Sequence, residues 1–482
     1  MSPFRITVIA AWLVLIAALA GREMLVREVD RHELQVVREA RQERFYGVWF
    51  QKRRIGYVAE TMKPQDGEIL LTQEAHILLN VLETEQPVDM KVTATLTPQL
   101  VLRDFDFSFS SPLYSMQANG YVRGETVHFT LDTGHASITD SVRLAGPPLL
   151  AVNDRSYLLR QLDSPGDRIK VPSFDPLSLS GRESVITYHG REKILVNRRV
   201  KELHHYSEIF SGIRVNFWLD EQGRIVKEES PAGFQFIAEP EFRARDVTGA
   251  GGELLASVAV PPAGELPVKD ATRATFRLSL PPDAKLDLQG GRQELAGNLL
   301  TVTLEEMPPS APPDAGACGS PEFLRAGRFV QSGHQDIREA ARRIAGDTDD
   351  PAVQVRRLAG WMYRNLEKKP VLGLPDALTT LHTGQGDCNE HASLFAAMAR
   401  SLGIPTVIAT GVTLQRGAFY YHAWNEVCLG GSWYSLDTTT NQLPADVFHI
   451  RFGRGDLDQH LQVGALLGNL AITIISQQTG EK

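Results

Sequence analysis

The chain has 482 residues, enough for about three domains of ordinary size. With 43% hydrophobic and 22% charged residues it is a globular chain, and a net charge of −8 without any Lys/Arg run excludes the basic stripe that a nucleic-acid partner requires. Cys318, Cys388 and Cys428 are too few for a disulfide framework, and their spacing matches no zinc pattern.

Ile6 to Ala20 is a run without charge that follows a single side-chain charge at Arg5. At about 1.5 Å per residue it reaches roughly 22 Å, short of the ~30 Å of a bilayer core. It ends Ala18-Leu19-Ala20-Gly21, a small-residue pattern open to signal peptidase. Residues 1–21 therefore read as a signal peptide or a membrane anchor, with cleavage left open. The expected location is extracytoplasmic, in the periplasm or cell envelope. Arg22, Arg27 and Arg31 count against that orientation, but large domains translocate largely regardless of such charges.

Residues 22–44 read as a helical stalk, and from Phe45 the pattern turns to period two. Phe105, Phe107 and Phe109 alternate with Asp104, Asp106 and Ser108; Val127, Phe129 and Leu131 repeat the alternation. Phe217-Trp218-Leu219 and Ile225-Val226 flank a hairpin turn, and one helix is expected around Leu149 to Leu162. Residues 45–258 are thus an antiparallel β domain, a curved sheet or open barrel. Its opening, Tyr46-Gly47-Val48-Trp49-Phe50 with Ile55-Gly56-Tyr57, resembles in pattern the half-barrels of envelope lipoprotein carriers. A small β unit and a proline-rich linker fill 259–313, and residues 314–482 form an α+β domain. There Ile337, Ala340, Ala341 and Ile344 share a helix face. Asp350-Pro351 caps the next helix, whose inner face carries Val355, Leu358, Met362 and Leu366.

Three segments of this domain carry chemistry. Gly384-Gln385-Gly386-Asp387-Cys388 is a glycine-rich turn feeding a helix, with Asp387 as N-cap and Leu394, Phe395, Met398 and Leu402 on the apolar face. Cys388 falls in the first turn, where a helix N-terminus stabilises a thiolate and the Cys388 N–H can meet an oxyanion. The second and third segments, Tyr421-His422-Ala423-Trp424-Asn425-Glu426 and Trp433-Tyr434-Ser435-Leu436-Asp437, form a hairpin turning at Gly430-Gly431. Pairing Leu429 with Ser432 puts Trp424 opposite Asp437, so that His422 and Asp437 become diagonal neighbours on one face. A thiol at a helix start and an imidazole beside a carboxylate compose an acyl-transfer triad.

Gly-x-Gly-Asp-Cys, then Tyr-His-Ala-Trp-x-Glu-Val, then Trp-x-x-x-Asp-x-Thr resembles the transglutaminase-like branch of the papain-like fold, over about Ser320 to Asp458. The resemblance implies Cys388 as nucleophile, His422 as base and then acid, and Asp437 as orienting group. Thr438 stands where the family usually has proline. His391 is a rival base, held on the nucleophile's own helix and otherwise expected at the helix surface. Gln385 is a candidate oxyanion donor or a solvated turn residue. Trp424 shields the His–Asp pair or meets substrate, and Glu426 is a solvated or paired strand carboxylate. A metal site from His422 and Glu426 lacks further ligands, and no cofactor is called for. Cys318 and Cys428 either pair, leaving Cys388 free, or stay apart. The expected activity is a cysteine peptidase or amidase on a protein or peptide substrate, with hydrolysis favoured over cross-linking. The alternative is a non-catalytic envelope protein whose β domain grips peptide, lipid or glycan.

Overall fold

The computed structural model describes residues 27–28, 41–81, 83–150, 155–210, 213–247, 249, 251–280, 286–312, 318, 321–456, 466 and 469–480. The expected signal or anchor run lies outside them, as does most of the expected stalk, of which Arg27–Glu28 is a strand. Among the described residues no helix is long and apolar enough to cross a membrane.

The alternating sequence folds into one large antiparallel sheet made of two meanders. The first runs from Gln42–Phe50 to Ser137–Arg143, the second from Arg168–Asp175 to Phe234–Glu239. They merge where Phe236 pairs with Val48 and Ala238 with Tyr46. Across the opening, Leu149 pairs with Ser173 at the outer edge of the second meander and bridges to Val101 of the first. Strand Leu102–Ser111 buries Phe105, Phe107 and Phe109 and exposes Asp104 and Asp106, as period-two patterning requires. The helix expected from Leu149 is shorter: it spans Ser156–Gln161. Leu149 and Leu150 instead pair in parallel with Ser173 and Phe174, because an available sheet edge outweighs local helix propensity. Inside the curve lies a cavity of about 430 Å³, walled by Met90, Phe107, Phe174 and Val215, with the Arg155–Glu208 ion pair on its lining.

A second sheet holds Ala271–Ser279 between Leu299–Thr303 and the C-terminal strand Ala471–Thr479, so the chain end returns to the small β unit. Phe276 of this sheet meets Phe419 and Phe448 edge-on, seating the unit against the C-terminal domain.

In that domain four helices precede most of the sheet: α1 (Gln335–Ala345), α2 (Pro351–Asn365), α3 (Ala377–Thr383) and α4 (Cys388–Ser401). Asp350 caps α2 by accepting from Ala352 N at 2.9 Å, and Val355, Leu358 and Met362 are buried beneath it. The sheet has the order β3 (Ser432–Leu436), β2 (Ala418–Leu429), β1 (Thr406–Gln415), β4 (Ile450–Gly455), all antiparallel. Helix α4 packs against it with Leu394, Phe395 and Met398 fully buried, each such side chain contributing about 1.5–3 kcal/mol. The segment ahead of α3 is gripped by the β domain: Leu372 O accepts from Ser111 Oγ at 2.9 Å, and Asp376 Oδ2 from Thr133 Oγ1 at 2.8 Å.

Candidate active site

The start of α4 is fixed by its cap. Asp387 accepts from Asn389 N at 2.9 Å while Glu390 reaches back to Asp387 N at 2.9 Å, a closed capping box. A Cβ at Gly386 would run into the Glu390 side chain, so this turn needs glycine. The box consumes the N–H groups of Asp387, Asn389 and Glu390 and leaves that of Cys388 for another acceptor. Half-buried Cys388 is the free cysteine, and beside it Asn389 Oδ1 accepts from the Tyr421 hydroxyl on β2 at 3.2 Å. Helix start and strand therefore meet one residue from His422.

The hairpin supplies the other two groups. Gly430 and Gly431 both have positive φ, 58° and 86°, as a two-residue turn matched to strand twist demands. The ladder runs from Leu429–Ser432 to Asn425–Leu436, in the register expected from the turn. Asp437 then leaves the ladder to bridge with Gln442. Its Oδ2 lies 3.0 Å from His422 Nε2, with both side chains buried. Thr439 N donates to Oδ1 at 2.7 Å, and the Thr440 hydroxyl donates to Oδ2. Burial pushes the Asp437 carboxyl up, but His422 and His449 outweigh it and hold the group well below the usual carboxylate range.

The thiol departs from expectation. Burial, aided by the neighbouring Asp387 carboxylate, pushes the Cys388 thiol well above its ordinary value despite the Ala423 N–H. The helix terminus alone does not win, because desolvation and three nearby carboxylates, Asp387, Glu390 and Asp437, act against the thiolate. That direction favours the protonated thiol, so attack requires a base to take its proton.

The remaining sequence candidates fall as follows. His391 is not at the helix surface but fully buried, since α4 is enclosed on all sides; its Nδ1 lies 3.2 Å from Thr438 Oγ1. Burial lowers its pKa to about 4, so it is neutral at pH 7. Trp424 is buried, its ring 6.3 Å from that of His422 and edge-on to His449 at 5.2 Å. Gln385 is half-buried at the turn, with Nε2 3.3 Å from Glu367 Oε2. Glu426 is buried and paired with Arg451 at 2.9 Å and Arg454 at 2.6 Å. Cys318 and Cys428 form a disulfide, with Cα atoms 6.1 Å apart.

Sequence reasoning missed His449. Its Nε2 lies 3.3 Å from Asp437 Oδ2 and its Nδ1 2.9 Å from Asp446 Oδ1. His422, Asp437 and His449 bring their polar atoms within 4.8 Å of one another, but as a hydrogen-bonded cluster in which the second nitrogen of His449 is already committed.

Residues 338–438, which include Cys388, His422 and Asp437, match the transglutaminase-like superfamily. No curated protein matches the chain. Two of the solved structures that are similar to parts of it are as follows. A "putative cysteine protease" from Cytophaga hutchinsonii is 15% identical with a TM-score of 0.29, covering 46% of this chain and 85% of its own. A "beta-barrel-like protein" of a domain of unknown function from Brucella abortus is 10% identical with a TM-score of 0.33, covering 42% and 98%. At these scores neither bears on function.

Proposed function

Starting from a C-terminal domain with a transglutaminase-like core, we propose that the protein is a cysteine acyl-transfer enzyme acting on amide bonds through Cys388, His422 and Asp437. The observation that carries the reading is the buried 3.0 Å His422–Asp437 pair on a strand that the neighbouring Tyr421 ties to the start of α4, next to Cys388. His422 takes the Cys388 proton, the sulfur attacks the carbonyl carbon, and the Cys388 N–H receives the oxyanion. Loss of one such donor typically costs about 2.7–4 kcal/mol. The imidazolium returns its proton to the leaving amine, and water then cleaves the thioester. Asp437 keeps His422 in the tautomer whose other nitrogen is free for the thiol. Substrates are proteins or peptides met outside the cytoplasm, and the N-terminal run serves as signal or anchor.

A second reading is favoured by the cavity in the β domain, whose apolar wall and buried ion pair suit ligand capture. In it the C-terminal domain is a docking platform. Incubation with a denatured-protein mixture and a fluorescent alkyl amine separates the cases. New peptide N-termini, absent with Cys388→Ala, support hydrolysis. Amine incorporation would transfer the assignment to cross-linking, and identical behaviour of Cys388→Ala and wild type would remove the enzyme reading.

A further inference from the structure

Asp437 serves two imidazoles through one oxygen. His422 Nε2 is 3.0 Å from Oδ2, and His449 Nε2 is 3.3 Å from the same atom. On the other side of the His449 ring, Nδ1 faces Asp446 Oδ1 at 2.9 Å. The Asp437 and His449 side chains are each 1% exposed, whereas Asp446 is 40% exposed at the rim.

Both ring nitrogens of His449 therefore meet a carboxylate. A neutral imidazole has one N–H and one lone pair, so either neutral tautomer would aim a lone pair at an anion. Only the imidazolium donates in both directions. We propose that His449 is a positioning residue of the active site, held as an imidazolium that bridges Asp437 to Asp446 and fixes the carboxylate that orients His422. The proposal rests on the Cys388–His422–Asp437 reading.

The surroundings agree. Burial works against the charged ring, but the hydrogen bonds and charges of Asp437 and Asp446 outweigh it and raise its proton affinity. From β1, Thr413 Oγ1 lies 3.4 Å from Nδ1. From β2, His422 and Trp424 present ring edges at 5.7 and 5.2 Å between centroids. Arg292 is engaged by Glu305, by the Ser435 hydroxyl and by the carbonyls of Ala445 and Asp446, and Arg451 is committed to Glu426. Two anions thus face the ring, and no guanidinium contact to its nitrogens competes with them among the described residues.

Two consequences follow for the reaction. Asp437 cannot rotate away from His422 without breaking the bridge. The positive charge of His449 also offsets the anion beside the base.

The test combines nitrogen-15 NMR of histidine-labelled full-length protein with acylation by p-nitrophenyl acetate across pH. At pH 8, about 1.5 units above an ordinary histidine, one ring should retain both N–H signals. That signature should vanish in His449→Gln and collapse to a single N–H in Asp446→Asn. The latter variant sits at a partly exposed carboxylate and reports on the bridge should His449→Gln fail to fold. His449→Gln should slow acylation about tenfold or more, short of the ~10⁴-fold expected for the orienting carboxylate itself. Its acid limb should move to higher pH, because the offsetting charge is gone. His449→Ala, which keeps no donor, should be slower still. A His449 ring that is neutral at pH 8, or a His449→Gln profile that overlays wild type while His422→Ala is inactive, overturns the bridge alone. Acylation indifferent to His422→Ala overturns the triad reading and the bridge with it.

Discussion

Nε2 of His422 and Oδ2 of Asp437 stand 3.0 Å apart across a hairpin, in a cluster where neither side chain is more than 5% exposed. In so dry a site a carboxylate that loses its charge is costly to both chemistry and fold.

Asp437→Asn should therefore lower acylation of Cys388 by up to ~10⁴-fold, since the amide no longer fixes the tautomer of His422. It should also change the pH dependence of stability. The folded carboxyl lies well below the usual range. Its contribution is thus present above the unfolded value of about 3.9 and lost as pH falls through the lower folded value. The melting-temperature gap between wild type and variant should be widest near neutrality and close below about pH 4. A gap independent of pH in scanning fluorimetry would contradict this.

His391→Ala should retain acylation within about tenfold while losing roughly 1–3 kcal/mol of stability, the scale of a broken buried hydrogen bond. The folded ring titrates near 4, whereas the unfolded one takes a proton near 6.5. Wild-type stability should accordingly fall between those pH values by an amount that His391→Ala removes. A variant as inactive as His422→Ala would make His391 the base.

Alkylation of the resting enzyme by iodoacetamide should be slow at pH 7 and climb only beyond the ordinary thiol value of about 8.5, because burial and Asp387 oppose the thiolate. A rate already maximal near pH 6 would mean that the free enzyme holds a thiolate–imidazolium pair.

Without reductant one thiol, Cys388, should react in the denatured chain, and with reductant three. Reducing the Cys318–Cys428 bridge, which closes a span of 110 residues, should cost about 2–5 kcal/mol in a denaturant titration. Three reactive thiols before reduction would exclude the bridge.

Much of the site could be read from local rules. The Gly430-Gly431 turn sets the register as far as Asn425–Leu436, and Asp387 with Glu390 sets the helix start beneath Cys388. His449 could not be placed that way. It follows an irregular stretch from Thr438 to Phe448 that has no period, and only the tertiary fold carries it back to Asp437. The upward push on the thiol is hidden for a related reason: a helix terminus is visible in sequence, whereas enclosure of α4 on all sides is not. The return of Ala471–Thr479 to the small sheet is likewise a long-range pairing with no local signal.

Rapid-quench peptide mapping after exposure to p-nitrophenyl acetate tests the central claim most directly. An acetyl group should appear on the peptide bearing Cys388, be absent from Cys388→Ala, and accumulate at least a hundredfold more slowly in His422→Ala, within the ~10²–10⁴-fold scale of lost general-base catalysis. Acetylation at another residue, or at Cys388 with the same rate in His422→Ala, would contradict it.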